Sequence, residues 1–353
     1  MKILFLYTEL ADYLLSCINA LTSEYNAEVH IMRFPVNKEA PFQFSFSPEV
    51  KIYDRTDFAE KKLIYLAQKI SPDVIYCSGW KDNTYLSVCR HFRKNIPVIL
   101  GMDNKWNHTI KQEILSLTNY FFIKPYFNYC WVPGNQQEKY AQKLGFESEK
   151  IFKGLYSADY NFFYKQHLAN MENKKNDFPK IFIYAGRYYA FKGIENLWNA
   201  FIELKSEEPN DWDLWCLGTG DIFPIIHPNI KHFGFVQPSD IPEIISKAGV
   251  FILPSHIEPW GVALHEFASA GFPLISSSSV GANEQFLING TNGYSFKSGS
   301  ETDLKNCMKK IIRLSSADLF SMSQQSVALA NSMSPKKWAD TLFTIYKNHQ
   351  ING

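Results

Sequence analysis

"GVFILPSHIEPWGVALHEFASAG", residues 249–271, carries three signals in order. An unbroken apolar run ends near Pro254, a loop bears Glu258, Pro259, Trp260 and Gly261, and a helical stretch begins at Val262. A continuous apolar strand that hands over to a helix reads as one βα unit of a parallel sheet covered on both faces. The unit recurs outward. "KIFIYA" (180–185), "DLWCLG" (213–218), "IKHFGF" (230–235) and "FPLIS" (272–276) each precede a turn, and most then show helical periodicity. The first half repeats it with "KILFLY", "AEVHIM", "PDVIYC", "IPVIL" and "YCWVP". The expectation is an α/β protein with two doubly wound, Rossmann-like domains.

A chain of 353 residues exceeds the size at which one core usually keeps growing, which agrees with two domains. The polar stretch "HLANMENKKNDFPK", 167–180, reads as the linker. That sets an N-terminal domain at 1–166, a C-terminal one at 181–334, and a closing helix at 335–353. Ser334 is a candidate N-cap for that helix, and Trp338, Leu342 and Tyr346 at fourfold spacing make its packing face. Two such domains are expected to face each other across a cleft, with ligands outside the carboxyl ends of the strands.

Composition is 46% hydrophobic and 20% charged, which describes a globular chain. Thirty-six Lys and Arg against 35 Asp and Glu leave +1, so no global field captures nucleic acid. The six cysteines have no paired spacing, arguing against a zinc site or a disulfide framework and for a reducing cytoplasm. Thr8, Glu9 and Asp12 break the apolar start where a signal peptide needs continuity, and no apolar run reaches bilayer length.

Gly261 lets a ligand approach the backbone, and the N–H groups of the next helical turn attract an anion such as phosphate. Glu258 stands just before that helix, and Glu266 roughly 7 Å further along its axis. Carboxylates accept from vicinal hydroxyls, and a nucleotide sugar has diols at both ends with phosphates between. The spacing fits one extended molecule. The plain alternative is a dipole-complementing Glu258 and a Glu266 on a wet face. Against it, Val262, Leu264, Phe267, Ala268 and Ala270 make this helix apolar on most sides. A second constellation, "YAGRYYAFKGIENL", sets Arg187 and Lys192 after a strand, able to neutralise a departing diphosphate or merely to stand in solvent.

Together these stretches resemble the retaining glycosyltransferases of family four, which have the GT-B fold. Gly186, Arg187, Lys192 and Gly193 match one family pattern; Pro254, Ser255, Glu258, Trp260, Gly261 and Glu266 match another. "LGTGD" (217–221), residues 232–255 and residues 281–296 extend the resemblance over nearly the whole second half. It implies that Arg187 and Lys192 bind the donor diphosphate, Glu258 the sugar and Glu266 the ribose. Backbone around Trp260, Gly261 and Val262 would meet sugar and phosphates, and Phe235 and Val236 would flank the base. Two departures stand out. "TELADY" replaces a Gly-rich turn after the first strand, and Asp103 in "GMDNKW" occupies the place where many members have a His. Asp103 is a candidate partner for a sugar hydroxyl or an oxocarbenium-like transition state, or a turn-former.

The resemblance thus implies a UDP- or GDP-type sugar donor, no metal, and a glycan or lipid-linked acceptor. Asp211 and Asp213 mimic a metal-binding Asp-x-Asp but precede a strand, away from ligand sites. Residues 117–131, "LTNYFFIKPYFNYCW", together with Arg90, Arg93 and Lys94 are either core or a basic, aromatic surface for the inner face of a membrane. A nucleotide-sugar epimerase would need acid and base groups that the sequence does not display. A non-catalytic partner subunit would be expected to lose some of Arg187, Lys192, Glu258 and Glu266.

Overall fold

The computed structural model describes residues 1–35, 46–107 and 109–352, the side chains of 119, 120 and 352 excepted. The chain divides into unit 1, residues 1–157 with 334–353, and unit 2, residues 158–333.

Unit 1 holds strands β1 (Lys2–Leu6), β2 (Glu28–Arg33), β3 (Val50–Asp54), β4 (Val74–Ser78), β5 (Val98–Gly101), β6 (Tyr129–Val132) and β7 (Ile151–Lys153). Its helices up to the boundary are α1 (Tyr13–Tyr25), α2 (Glu60–Ile70), α3 (Asn83–Phe92), α4 (Ile110–Phe122) and α5 (Asn135–Lys143). The strands pair in parallel in the order β3-β2-β1-β4-β5-β6-β7. Unit 2 starts with α6 (Tyr160–Asn176) and holds β8 (Ile181–Ala185), β9 (Asp213–Leu217), β10 (Ile230–Gly234), β11 (Val250–Leu253), β12 (Leu274–Ser277) and β13 (Gly293–Phe296). Between and after these strands run α7 (Ile194–Glu207), α8 (Ile241–Ile245), α9 (Val262–Ser269), α10 (Asn283–Phe286), α11 (Glu301–Ile312) and α12 (Ser316–Ala330). Its order is β10-β9-β8-β11-β12-β13, again parallel. In both sheets the chain starts centrally, winds to one edge, returns and winds to the other. That is the double winding expected from the βα repeats, and it creates a switch point between β1 and β4 and another between β8 and β11.

The apolar runs become the middle strands: β5, β6, β11 and β12 are buried at every position. Unit 2 has its own core, where Phe182 stacks on Trp212 at 4.5 Å and Trp198, Phe201 and Leu304 close around them.

The stretch expected as a linker, 167–180, is instead helix through Asn176. Asp159 caps α6 by accepting from the Phe162 N–H, and Tyr160, Phe163, His167 and Lys174 form its buried stripe. The chain passes between units at 157/158 and 333/334. Both ends of unit 2 are held by one side chain. His265, fully buried in α9, accepts from the Ala158 N–H at Nδ1 (3.0 Å) and donates from Nε2 to the Ala330 carbonyl (3.0 Å). It stacks on Phe286 at 4.2 Å, and burial pushes its imidazole down to about 4, which keeps it neutral for this double role.

The closing helix α13 (Pro335–Asn352) belongs to unit 1. The Ser334 Oγ accepts from the Lys337 N–H. Trp338 lies 4.8 Å from Trp131 and donates to the Leu155 carbonyl at 2.7 Å. Its buried face is Trp338, Ala339, Leu342 and Ile345, with Tyr346 at the margin. Among the described residues no helix is long and apolar enough to cross a membrane.

Candidate functional site

In unit 2 the switch point collects most of the residues singled out by sequence. After β8 the Arg187 carbonyl accepts from the Tyr184 hydroxyl (2.7 Å), fixing the backbone while the Arg187 side chain stays half-buried. A short 3-10 turn, Ala190–Lys192, then delivers the chain to Gly193 at φ 67°. A Cβ at Gly193 would sit 2.4 Å from the Pro254 carbonyl oxygen, so the loop after β8 lies directly against the loop after β11. The N–H groups of His256 and Ile257 both donate to the Phe191 carbonyl, at 2.8 and 3.2 Å, and stitch the two loops together.

This brings Lys192 to Glu258. The Lys192 Nζ donates to Glu258 Oε2 at 2.6 Å, and the Ser255 Oγ donates to the same oxygen at 3.2 Å. The pair is sheltered, with the side chains 21% and 12% exposed. The loop after β12 buttresses it. There the Gly281 N–H donates to the Glu258 carbonyl and the Ala282 N–H to the Trp260 carbonyl, and the Ser279 Oγ donates to the Ser255 carbonyl. Sequence reading gave Ser255 no role of its own. A hydroxyl three residues before a carboxylate is a common pairing, and only the loop geometry turns this one inward.

Both helices leaving the switch point begin on a glycine, without a side-chain cap. The N-cap of α7 is Gly193; that of α9 is Gly261, at φ 97°. Helix starts without side-chain caps direct N–H donors and the positive end of the dipole outward, an arrangement that suits phosphate. On α9, Leu264, His265, Phe267 and Ala268 are buried, while Val262, Ala263 and Glu266 share the one partly open face. Glu266 therefore escapes the burial penalty that an otherwise apolar helix suggests, and it points along the same face as the helix start. The Trp260 side chain is core, edge-on to Phe286, so only its backbone can meet a ligand. Phe235 and Val236 follow β10 and are half-buried.

Asp103 belongs to unit 1. The loops after β1, β4 and β5 line a cavity of about 650 Å³ whose walls include Glu9, Ser78, Trp80, Asp103 and Asn104. Asp103 Oδ2 accepts from the Tyr156 hydroxyl at 3.2 Å. Burial holds the Tyr156 phenol well above its usual range, so it remains a donor. Where a Gly-rich turn is absent after β1, the Thr8 N–H is taken by the Ser78 Oγ at 3.0 Å.

The remaining candidates have structural partners. Asp211 pairs with Lys180 and Asp213 accepts from Asn229, both at the entry to β9. The ring of His227 accepts from the Asn229 N–H; His232 lies between the Tyr188 hydroxyl and the Ile225 carbonyl; His256 meets the Asn196 side chain. Among the described residues no group of three His, Cys, Asp or Glu side chains is placed to hold a metal ion.

Residues 168–325 match the family model "Glycosyl transferases group 1". The glycogen synthase of Mycobacterium tuberculosis is 30% identical over 126 residues, covering 33% of this chain and 30% of that protein. The spore coat protein SA of Bacillus subtilis is 26% identical over 130 residues, covering 33% and 34%. The chain thus spans about a third of the length of the curated relatives it matches. Among solved structures, HepE of Anabaena with UDP and glucose aligns with a TM-score of 0.73 at 14% identity, over 99% of this chain and all of that one. The sucrose-phosphate synthase of Thermosynechococcus elongatus aligns with a TM-score of 0.72 at 16% identity, over the full length of both. At such identities the likeness establishes the fold, which is GT-B.

Proposed function

We propose that the chain is a retaining glycosyltransferase that moves a sugar from a UDP- or GDP-type donor to a hydroxyl acceptor, a glycan or lipid-linked glycan of surface polysaccharide synthesis. The observation that carries this reading is the Lys192–Glu258 pair set between two helix starts without side-chain caps at the unit 2 switch point. The group 1 family match over that unit supports it, as does the presence of UDP in the HepE structure.

In this reading the diphosphate lies over the starts of α7 and α9 and recruits Arg187 and Lys192. Lys192 then exchanges part of its contact with Glu258 for phosphate, which frees Glu258 oxygens for sugar hydroxyls. Glu266 accepts from the ribose, and Phe235 and Val236 flank the base. The acceptor oxygen bonds to the anomeric carbon as the bond from that carbon to the diphosphate oxygen breaks. The electron pair leaves with the diphosphate, where Arg187 and Lys192 stabilise it, and the acceptor proton passes to a phosphate oxygen. Asp103, which lines the unit 1 cavity, is kept as a candidate partner for a sugar hydroxyl. No step uses a metal.

Calorimetric titration with UDP and GDP tests the donor site. Glu266→Ala is expected to weaken the preferred nucleotide about 10- to 100-fold, the loss of a hydrogen bond to a charged group. Arg187→Ala is expected to lower turnover with the matching nucleotide sugar. Unchanged affinity in Glu266→Ala and full turnover in Arg187→Ala would remove the assignment.

A further inference from the structure

His256 stands two residues before Glu258 and takes no part in the proposed chemistry. A chain of side chains nevertheless fixes its ring. The His256 Nε2 meets Asn196 Oδ1 at 2.9 Å, and the Asn196 Nδ2 donates to Glu301 Oε1 at 2.7 Å, beside the Asn199 Nδ2 at 3.1 Å. A carboxylate only accepts, so Glu301 takes the NH2 group of the Asn196 amide and turns the amide oxygen toward the ring. His256 Nε2 is therefore the donor of that pair. Asn196 lies in the first turn of α7 and Glu301 opens α11, so the ring joins the loop after β11 to the starts of two helices.

The ring also lies against the switch point. A Cβ at Gly193, the N-cap of α7, would stand 3.4 Å from His256 Nε2. The parts joined here are not equally secure. Ile194, Leu197 and Trp198 root α7 in the unit 2 core, and Leu304, Cys307 and Met308 root α11 there. The loop is held differently. Its Ile257 is 65% exposed and gives no apolar anchor, and Glu258 is held across the two loops by Lys192. In the proposed reaction Lys192 gives part of that contact to phosphate. His256 still ties the loop to α7 when Lys192 has turned away.

We propose that His256 is a positioning residue for the donor sugar: through Asn196 and Glu301 it holds the loop after β11, so that Glu258 keeps its place while Lys192 turns to the phosphate. This role presupposes Glu258 as the partner of the sugar. Loss of the tie loosens the sugar end of the site and spares the nucleotide end, because α7 keeps its anchors in the core.

Calorimetry of the full chain with UDP, GDP, UDP-glucose, UDP-galactose, UDP-N-acetylglucosamine and GDP-mannose tests the proposal. In the parent it gives the factor by which the best sugar tightens binding over its free nucleotide. His256→Asn and Asn196→Leu are each expected to remove most of that factor, up to about tenfold for one lost hydrogen bond, while free-nucleotide affinity moves less than about twofold. His256→Gln sets an amide nitrogen where Nε2 stands, keeps the donor to Asn196, and is expected to retain the factor. The double variant His256→Asn, Asn196→Leu should lose no more than either single variant, because both break one link. Equal loss in His256→Gln and His256→Asn overturns the proposal. So does a factor that no variant changes, even where melting temperatures fall, since the relay then serves only the fold. A parent that binds nucleotide but gains nothing from any sugar removes Glu258 as the sugar's partner, and His256's role with it. A parent that binds none of these nucleotides removes the donor site itself, and the proposal falls with that reading.

Discussion

At the scale of single residues the strongest tension lies outside the candidate site. Lys174 is buried on α6, donates to the Gly271 carbonyl at 3.0 Å and stands 3.8 Å from the centre of the Phe272 ring. Burial pushes its ammonium down to about 7, against the carbonyl and ring face that favour the charge. The nearby His167 is pushed down to about 4, first by burial and then by Lys174. Because the folded pKa of Lys174 lies below its unfolded value, the unfolded chain holds the extra proton between about pH 7 and pH 10, and stability rises with pH through that window. Lys174→Met is therefore expected to raise stability at pH 7 by about 1–4 kcal/mol, with the advantage shrinking toward pH 10. Denaturant melts across that range check it, and a pH-independent difference would refute the cause. The same residue explains a misreading. A helix whose buried stripe contains His and Lys looks polar on every side, so 167–180 reads as a linker. The positions of Lys192 and Glu258 just past apolar strand ends were legible, but their pairing was not, because it depends on how two loops distant in sequence are pressed together.

At the scale of elements the site depends on two loops pressed together at Gly193. Gly193→Ala adds a side chain at a positive φ, costing about 1–2 kcal/mol, and drives it into the Pro254 carbonyl. The variant is expected to melt at lower temperature and also to bind UDP at least about tenfold more weakly, because the loops that bring Lys192 to Glu258 must part. Normal UDP affinity in a destabilised variant would mean that the contact serves only the fold. Elements also set what sequence could reveal. The three strands that the apolar runs did not announce, β3, β7 and β13, all lie at sheet edges, where one neighbour suffices and polar residues such as Lys51, Lys153 and Ser295 are tolerated. In residues 117–131 one apolar run crosses a helix end, a turn and a strand, so its period changes midway and no single face can be read from it.

For the whole molecule the decisive feature is that unit 1 is built from two separate pieces of chain. Apolar patterning located the closing helix but not its allegiance, since a packing face does not name the core it enters. Each unit has its own core, so calorimetry is expected to resolve two transitions. Trp338→Ala should cost unit 1 about 3–5 kcal/mol and lower one transition by roughly 10 °C. The other transition should keep its place and still rise with added UDP. A uniform fall of both would show that the units melt as one. The split also governs events at the ribosome. Everything that unit 2 needs has been translated by Met333, including Ala158 and Ala330 for the His265 clasp, whereas the β-sheet begun by Lys2 must wait for Trp338. The nascent chain therefore has every residue of its second unit translated before the last residues of its first, and the earlier sheet waits longest for the helix that packs on it.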